Sequence, residues 1–201
     1  MIIGVTGGVG TGKSTILEIL KEEYQAAVII ADDVARELML PGHQPYQDII
    51  TVFGQDLLTD GENSPIDRGK LAGIVFQNPE LLKRLNQCVH PAVKKYISAQ
   101  IASLQEKGIS LIVVETAILI EAGYLPLVDQ LWVVHTDYDV RVQRLMESRG
   151  YTKEKTDQII RNQMDPVILE EKADFVIDNS KDLDNVREQI RNYFMHERIT
   201  D

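Results

Sequence analysis

The chain of 201 residues is 44% hydrophobic and 26% charged, a composition typical of a soluble globular protein with one domain. Its 21 Lys and Arg residues against 31 Asp and Glu residues give a net charge of −10, which argues against a nucleic-acid partner. The apolar runs are too short to cross a membrane, and the N-terminus lacks the basic segment of a signal peptide. Because Cys88 is the only cysteine, no intrachain disulfide can form, and we expect a cytoplasmic protein.

A glycine-rich segment follows the first predicted strand, residues 1–6. It reads Gly7-Gly8-Val9-Gly10-Thr11-Gly12-Lys13-Ser14-Thr15 and fits the phosphate-binding pattern G-x-x-x-x-G-K-[ST]; we call it the phosphate loop. Its glycines let backbone N–H groups close around phosphate oxygens, and a helix that begins near Lys13 adds its positive N-terminal end. The pattern places Lys13 at the β- and γ-phosphates and makes the Ser14 hydroxyl a ligand for Mg²⁺. We therefore predict that the phosphate loop binds a nucleoside triphosphate.

A pair of aspartates follows the second predicted strand, residues 27–30. Asp32 and Asp33 stand at its carboxyl end, where open α/β sheets bind their ligands. A helix is predicted to start at Val34. We expect one aspartate to cap this helix and the other to face the reacting centre.

Residues 43–108 are predicted to be helical, with turn signals at Gly54, at residues 60–65 and at residues 78–79. This block is too long for a simple crossover, so we expect a helical lobe beside the sheet. His90 precedes a proline, where helical geometry is disfavoured, and we interpret it as either a substrate contact or a helix cap. An apolar face is predicted for the helix after residue 67, formed by Leu71, Ile74, Val75 and Phe76.

Two further strands are predicted at residues 111–115 and 131–135. The first is a continuous apolar run, as a parallel strand buried on both faces requires. It ends in Glu115, at a position like that of the acidic residue that places Mg²⁺ or its water in many phosphate-loop proteins. The helix after the second strand is predicted to be capped at Thr136-Asp137.

Arginines mark two predicted helices that lie before the last strand. Arg141 and Arg144 share one helical face, and Arg149 stands just before a break at Gly150. We interpret residues 140–172 as a mobile lid over the triphosphate, because arginines neutralise developing charge in phosphoryl transfer. The alternative is a solvated helix pair with i,i+4 ion pairs.

The last predicted elements are a strand at residues 174–179 and an amphipathic helix at residues 182–198. Asn179 either helps to read adenine or forms a turn. The alternation of strands and helices predicts an α/β fold with a five-stranded parallel sheet and helices on both faces. With the phosphate loop, the helical lobe and the arginines before the last strand, we expect this fold to be a P-loop kinase core. The single domain then comprises a core (about 1–42, 109–139 and 173–201), a helical substrate lobe (about 43–108) and a helical lid (about 140–172).

Three function classes compete for a chain with a phosphate loop. A GTPase-type switch is disfavoured because no D-x-x-G occurs and residues 179–182 miss the pattern N-K-x-D by one inserted residue. A mechanical or DNA-remodelling ATPase is disfavoured by the small size and the negative charge. A small-molecule kinase, with a substrate lobe and an arginine lid, is favoured.

An ordered set of segments spans nearly the whole chain. It comprises Thr6 to Thr15; Ala31-Asp32 with Ala35-Arg36; Ile66-Asp67-Arg68; Leu85-Asn86 with His90-Pro91; Ile118 to Glu121; Arg144 and Arg149; and Gln163 with Glu171 to Asp174, before Asn179. This set resembles the dephospho-coenzyme A kinase family, whereas the phosphate loop alone is shared by many families. The resemblance implies a phosphotransferase with Mg²⁺ that moves the ATP γ-phosphoryl group to the 3′-hydroxyl of dephospho-coenzyme A. A kinase for another nucleotide or nucleoside is the alternative.

The resemblance also implies roles for single residues. Asp32 orients or deprotonates the attacking hydroxyl, and Lys13 and Arg144 act with it on the moving phosphoryl group. ATP is held by Gly8, Val9, Gly10, Thr11, Gly12, Lys13, Ser14, Thr15, Arg149 and Asn179, with Ser14 on the metal. We expect a monomer or a weak homo-oligomer.

The substrate side is implied to include Asp32, Arg36, His90 and Glu121. The chain departs from the family pattern at two positions. Ile30 replaces the first aspartate of D-A-D, which leaves Asp32 to do the acidic work. Ala117 replaces the proline of P-L-L-x-E, which loosens the backbone beside the substrate pocket.

Overall fold

A computed structural model describes residues 1–196 of the chain. Its strands are β1 (Ile2–Thr6), β2 (Ala27–Ile30), β3 (Ile112–Glu115), β4 (Gln130–His135) and β5 (Phe175–Asp178). Its α-helices are α1 (Lys13–Glu23), α2 (Ala31–Leu38), α3 (Gln44–Phe53), α4 (Arg68–Val75), α5 (Pro79–Glu106), α6 (Tyr138–Arg149), α7 (Lys153–Arg161), α8 (Pro166–Glu171) and α9 (Leu183–His196). The last two residues of the helix predicted at 182–198 lie outside the described part of the chain.

The five strands form one parallel sheet in the order β2-β3-β1-β4-β5, which confirms the predicted fold class. Strand β1 is central and fully buried, with Gly4 opposite Val114 of β3 and Leu131 of β4. From β1 the chain crosses to β2 at one edge of the sheet and returns to β3, which lies next to β1. Strands β4 and β5 then follow on the other side of β1, so the direction in which strands are added changes at β1. In open α/β sheets this reversal, at the carboxyl ends of the strands, is where ligands bind.

The chain divides into two compact units. The first unit comprises Met1–Ile29 and the chain from Gly108 onward, and the second comprises Ile30–Lys107. In the first unit, Trp132 of β4 is fully buried and contacts the rings of Phe175, Tyr193 and Phe194, which ties β4 to β5 and α9. No helix within residues 1–196 combines the length and the apolar character that a membrane span needs.

The second unit is built around the long helix α5, which packs against α2, α3 and α4. Val89, Val93, Ile97 and Ile101 are buried at intervals of four residues and form the stripe that faces these neighbours. Pro91 lies inside this helix, so of the two interpretations of His90, a substrate contact or a helix cap, the cap is excluded. The buried stripe continues on both sides of the proline, and its packing outweighs the local preference against a helix before proline.

Three smaller predictions in the helices also need correction. Helix α2 begins three residues earlier than predicted, with Ile30 at its N-cap, so neither Asp32 nor Asp33 caps it. Phe76 is 81% exposed, and the buried face of α4 is formed by Leu71 and Val75. The helix after β4 begins at residue 138 with Asp137 at the N-cap position, but this side chain forms no capping hydrogen bond.

Candidate active site

The phosphate loop connects the carboxyl end of β1 to the first residue of α1. Two of its glycines allow close approaches that a side chain would prevent. A Cβ atom at Gly8 would lie 2.2 Å from the Arg141 guanidinium, and one at Gly12 would lie 2.2 Å from the Asn179 amide nitrogen. Gly12 also has a φ of +84°, in the left-handed region that glycine tolerates best. The glycine pattern therefore reflects both the loop's conformation and the side chains packed on it.

Lys13 lies over the first half of the loop. Its Nζ donates a hydrogen bond to the Gly7 carbonyl oxygen at 2.9 Å, and the Gly8 carbonyl oxygen lies at 3.5 Å. The Glu115 carboxylate, at the end of β3, is 3.6 Å from the same nitrogen. The ammonium group is thus held between the loop and the neighbouring strand, where it can neutralise phosphate charge.

The chain offers oxygen atoms for a magnesium ion at this edge of the sheet. Ser14 is exposed at the second position of α1, and Glu115 is nearly buried at the end of β3. Within residues 1–196, no group of three or more His, Cys, Asp and Glu side chains is arranged to hold a metal ion. Mg²⁺ in kinases is bound by one or two protein groups together with phosphates and water, and a hydroxyl and a carboxylate fit that demand.

Arg141 joins helix α6 to the phosphate loop. Its Nε and Nη2 donate hydrogen bonds to the Val9 carbonyl oxygen at 3.2 and 3.1 Å, and Nη2 also donates to Gln163 Oε1 at 2.9 Å. The Val9 N–H donates to the same Gln163 oxygen at 3.0 Å. Arg141 is 5% exposed, and this burial lowers the pKa of its guanidinium from the usual value.

Arg144 and Asn179 meet on the other side of the loop. Arg144 Nη2 donates to the Asn179 carbonyl oxygen at 3.0 Å, while its Nη1 is buried without a hydrogen-bond partner near Gly12. The Asn179 side chain is buried, and its Nδ2 donates to the Thr11 carbonyl oxygen at 2.8 Å. The Thr136 hydroxyl donates to that carbonyl as well, at 2.9 Å. Asn179 and Thr136 therefore fix the loop, and Arg144 places an unsatisfied donor beside it.

A cavity of about 140 Å³ lies between the phosphate loop, the end of β4 and the segment after α7. Its lining includes Gly8, Arg141 and Gln163 together with the carboxylate-bearing residues Glu121 and Glu170. Glu121 is thus placed in one cavity with the loop. Arg149, in contrast, is exposed at the end of α6 and forms no hydrogen bond or ion pair among the described residues.

The remaining substrate-side residues belong to the second unit. Asp32 is exposed in the first turn of α2, and Arg36, one turn later, pairs with Asp33 at 2.6 Å. His90 is half-buried within α5, and this burial lowers the pKa of its imidazole. His90 is accordingly neutral near pH 7, which suits hydrogen bonding better than charge pairing.

Sequence reasoning named Gln163 only among the segments that resemble the family, without a role, and placed Arg141 only on the face of Arg144. The spacing of Arg141 and Arg144 was a usable signal, because residues three apart share one face of a helix. If Arg144 faces the phosphate loop, Arg141 is expected to face it as well. No local pattern indicated the contact of Gln163 with Val9, because the two residues are 154 positions apart.

Comparisons of the sequence and of the structure with known proteins point to the same family over most of the chain. A sequence model of the dephospho-CoA kinase family (CoaE) matches residues 1–185. The dephospho-CoA kinase of Carboxydothermus hydrogenoformans is 45% identical over 192 residues, which cover 94% of this chain and 90% of that protein. Among solved structures, a Thermus thermophilus protein has a TM-score of 0.83 at 26% identity and covers 100% of this chain and 98% of its own.

A second solved structure is the dephospho-CoA kinase from Campylobacter jejuni. It has a TM-score of 0.70 at 26% identity, and the alignment covers 98% of this chain and 96% of that chain. The family match extends over most of the chain and includes the phosphate loop, Arg141 and Arg144 of α6, and Asn179. The chain belongs to the dephospho-CoA kinase family.

Proposed function

We propose that this protein transfers the γ-phosphoryl group of ATP to the 3′-hydroxyl of dephospho-coenzyme A. The products are coenzyme A and ADP, and the reaction is the last step of coenzyme A biosynthesis. The observation that carries the proposal is a complete phosphate loop, with Lys13 in contact with it, in a chain whose residues 1–185 match the dephospho-CoA kinase family.

On the donor side, phosphoryl transfer depends on positioning and charge neutralisation rather than on covalent chemistry. The loop N–H groups and the N-terminus of α1 bind phosphate oxygens, and Lys13 neutralises the β- and γ-phosphates. The unsatisfied Nη1 of Arg144 is available to the moving phosphoryl group. Mg²⁺, held by Ser14 and the phosphates, supplies further positive charge when it is bound.

On the acceptor side, Asp32 holds the 3′-hydroxyl and accepts its proton. Within residues 1–196 the Asp32 carboxylate forms no hydrogen bond or ion pair, because Arg36 pairs with Asp33 instead. Its lone pairs are therefore available to an incoming hydroxyl. Arg36, His90 and Glu121 contribute to binding dephospho-coenzyme A.

The same proposal includes the division of the chain into lobes, its location in the cell and its partners. Residues 140–172 act as the lid, residues 43–108 as the substrate lobe, and the remainder as the core. The protein works in the cytoplasm as a monomer or a weak homo-oligomer, without nucleic-acid or membrane partners. Arg141, which hydrogen-bonds to Val9 of the phosphate loop, and Arg144, which hydrogen-bonds to Asn179 beside it, support the assignment of the lid.

The substrate assignment is tested by an assay that couples ADP release to an absorbance change. Dephospho-coenzyme A, adenosine and several nucleoside monophosphates are compared as acceptors at equal ATP concentration. We expect ADP release to be stimulated by dephospho-coenzyme A alone. Because Ile30 and Ala117 depart from the family pattern, stimulation by another nucleotide in its place would redirect the proposal, and no stimulation by dephospho-coenzyme A would refute it.

A further inference from the structure

Gln163 and Arg141 form a small hydrogen-bonded unit above the first half of the phosphate loop. The side-chain oxygen of Gln163 accepts from two donors at once, the Val9 N–H at 3.0 Å and Arg141 Nη2 at 2.9 Å. A backbone N–H of a phosphate loop and a guanidinium are the two kinds of donor that proteins use for phosphate oxygens. The oxygen of Gln163 thus stands in a position suited to an oxygen of a phosphate.

The charge of Arg141 points to the same ligand. Its guanidinium is 5% exposed, yet no carboxylate among residues 1–196 lies within ion-pair distance of it. Its three hydrogen bonds go to neutral oxygens, two to the Val9 carbonyl and one to Gln163. A buried charge without a counter-charge is costly, and an anionic ligand relieves that cost. The cavity that Arg141 lines also reaches Gly7, Gly8 and Thr11 of the loop, so a phosphate there lies within reach.

We propose that Arg141 is a phosphate-binding residue of the ATP site and that Gln163 Oε1 holds the place of a γ-phosphate oxygen. The assignment to the γ-phosphate follows from Lys13, whose Nζ lies at the Gly7 and Gly8 carbonyls beside the same part of the loop. In this loop pattern the lysine side chain reaches the β- and γ-phosphates. Lys13 is the first residue of α1, at the end of the loop, but its Nζ extends back to the beginning of the loop at Gly7. When ATP binds, its γ-phosphate oxygen replaces Gln163 Oε1 as the acceptor for Val9 N–H and Arg141. This inference rests on the proposed kinase function only in that ATP is the donor.

Isothermal titration calorimetry with ATP and with ADP, each in the presence of Mg²⁺, tests the proposal on the full-length protein. Arg141→Gln removes the charge, and we expect it to weaken ATP binding about ten-fold or more, the effect typical of a hydrogen bond to a charged group. ADP lacks the γ-phosphate, so its dissociation constant changes by less than about three-fold. Arg141→Lys keeps the charge and recovers part of the ATP affinity.

Two variants of Gln163 distinguish an oxygen that the γ-phosphate replaces from a side chain that only stabilises the loop. Gln163→Glu puts a carboxylate against Arg141 that pairs with it and repels phosphate, so ATP binding weakens about as much as in Arg141→Gln. Gln163→Ala removes only a competing acceptor, and ATP binds as tightly as to the wild type or more tightly. Gln143→Ala on α6 and Gln158→Ala on α7 are matched controls, since both side chains are exposed and neither hydrogen-bonds to the phosphate loop within residues 1–196.

Several outcomes overturn the proposal. If Arg141→Gln loses ATP and ADP affinity equally, Arg141 only stabilises the loop. If its ATP affinity is unchanged, Arg141 has no role in nucleotide binding. A raised KM for dephospho-coenzyme A with unchanged ATP affinity assigns Arg141 to the acceptor. If Arg141→Gln does not fold, as judged by circular dichroism, the same ATP-to-ADP comparison on Arg141→Lys and Gln163→Glu decides. Because nucleotide binding is measured without an acceptor, a failure of the proposed transfer reaction remains distinguishable from a failure of this inference.

Discussion

At the scale of single residues, α2 carries two neighbouring carboxylates in different situations. Asp33 is paired with Arg36 at 2.6 Å, whereas Asp32 is exposed and unpaired within residues 1–196. An ion pair between exposed side chains is worth little in stability, but it holds the Oδ1 atom of Asp33 against a guanidinium. Of the two, Asp32 is the one available to a substrate hydroxyl.

The Asp32→Asn variant tests that role. We expect kcat to fall by about two orders of magnitude or more, because an amide cannot accept the hydroxyl proton. The midpoint of thermal unfolding stays unchanged, since the side chain makes no contact that the amide would lose. Asp33→Asn is the matched control and has a much smaller effect on kcat. Near-wild-type turnover of Asp32→Asn, in a steady-state assay of ADP release, contradicts the assignment.

Arg144 is the second residue whose role is directly testable. Arg144→Ala removes the guanidinium with the unsatisfied Nη1, and we expect kcat/KM to fall about ten-fold or more while the protein still folds. The neighbouring variant Gln143→Ala, which alters an exposed side chain of the same helix, keeps wild-type kinetics. If both variants behave alike with both substrates, α6 is a solvated helix without a part in the reaction.

At the scale of elements, the phosphate loop is fixed by side chains from distant segments. Gly12→Ala places a methyl group 2.2 Å from Asn179 Nδ2 at a residue with a φ of +84°. We expect the variant to lose roughly 1–3 kcal/mol of stability from backbone strain and to bind ATP more weakly. Gly73→Ala is the control, because a Cβ atom at Gly73 would meet nothing within 4 Å, and in α4 alanine is the better helix former. Urea denaturation and calorimetry measure the two effects, and equal stability of the Gly12 variant contradicts the strain.

The proline inside α5 is a second feature of an element with a measurable cost. Pro91 removes a helical hydrogen bond and strains the turn before it, so Pro91→Ala should raise the free energy of unfolding by about 1–2 kcal/mol. Urea denaturation, followed by circular dichroism, measures the change. A loss of stability would show that the ring itself packs against the neighbouring helices.

These elements show where the sequence was sufficient and where it was not. The strands and the phosphate loop could be predicted from local patterns. An apolar run such as residues 111–114, or the glycine motif before Lys13, determines its conformation largely through its own residues. The helix-cap interpretation of His90 fails because the stripe of Val89, Val93 and its successors is stabilised by packing, which a local rule does not include. Asn179 donates to Thr11, 168 residues away, and no single-sequence pattern encodes such a partner.

At the scale of the whole molecule, the positive charge near the phosphate loop contrasts with the negative net charge of the chain. The chain carries a net charge of −10, yet Lys13, Arg141 and Arg144 surround the phosphate loop. The overall field repels a triphosphate, so affinity must come from these local donors.

Ligand binding to the loop should therefore stabilise the fold. At an ATP concentration about 100 times its dissociation constant, mass action adds about 2.7 kcal/mol to the free energy of unfolding. Differential scanning calorimetry with Mg²⁺ and ATP should show a higher midpoint for the wild type. Lys13→Ala removes most of the shift, and a shift of the same size in that variant would place ATP elsewhere.

The burial of Trp132 has an optical consequence. It is the only tryptophan of the chain, and it lies in the unit that carries the phosphate loop, in contact with rings of β5 and α9. Tryptophan emission moves to longer wavelength when the indole meets water. The tryptophan emission of this protein consequently reports the opening of that unit alone, while circular dichroism, which is dominated by helices, also records the helical unit of residues 30–107. Comparing the two signals in one denaturation series reveals whether the units unfold together or one before the other.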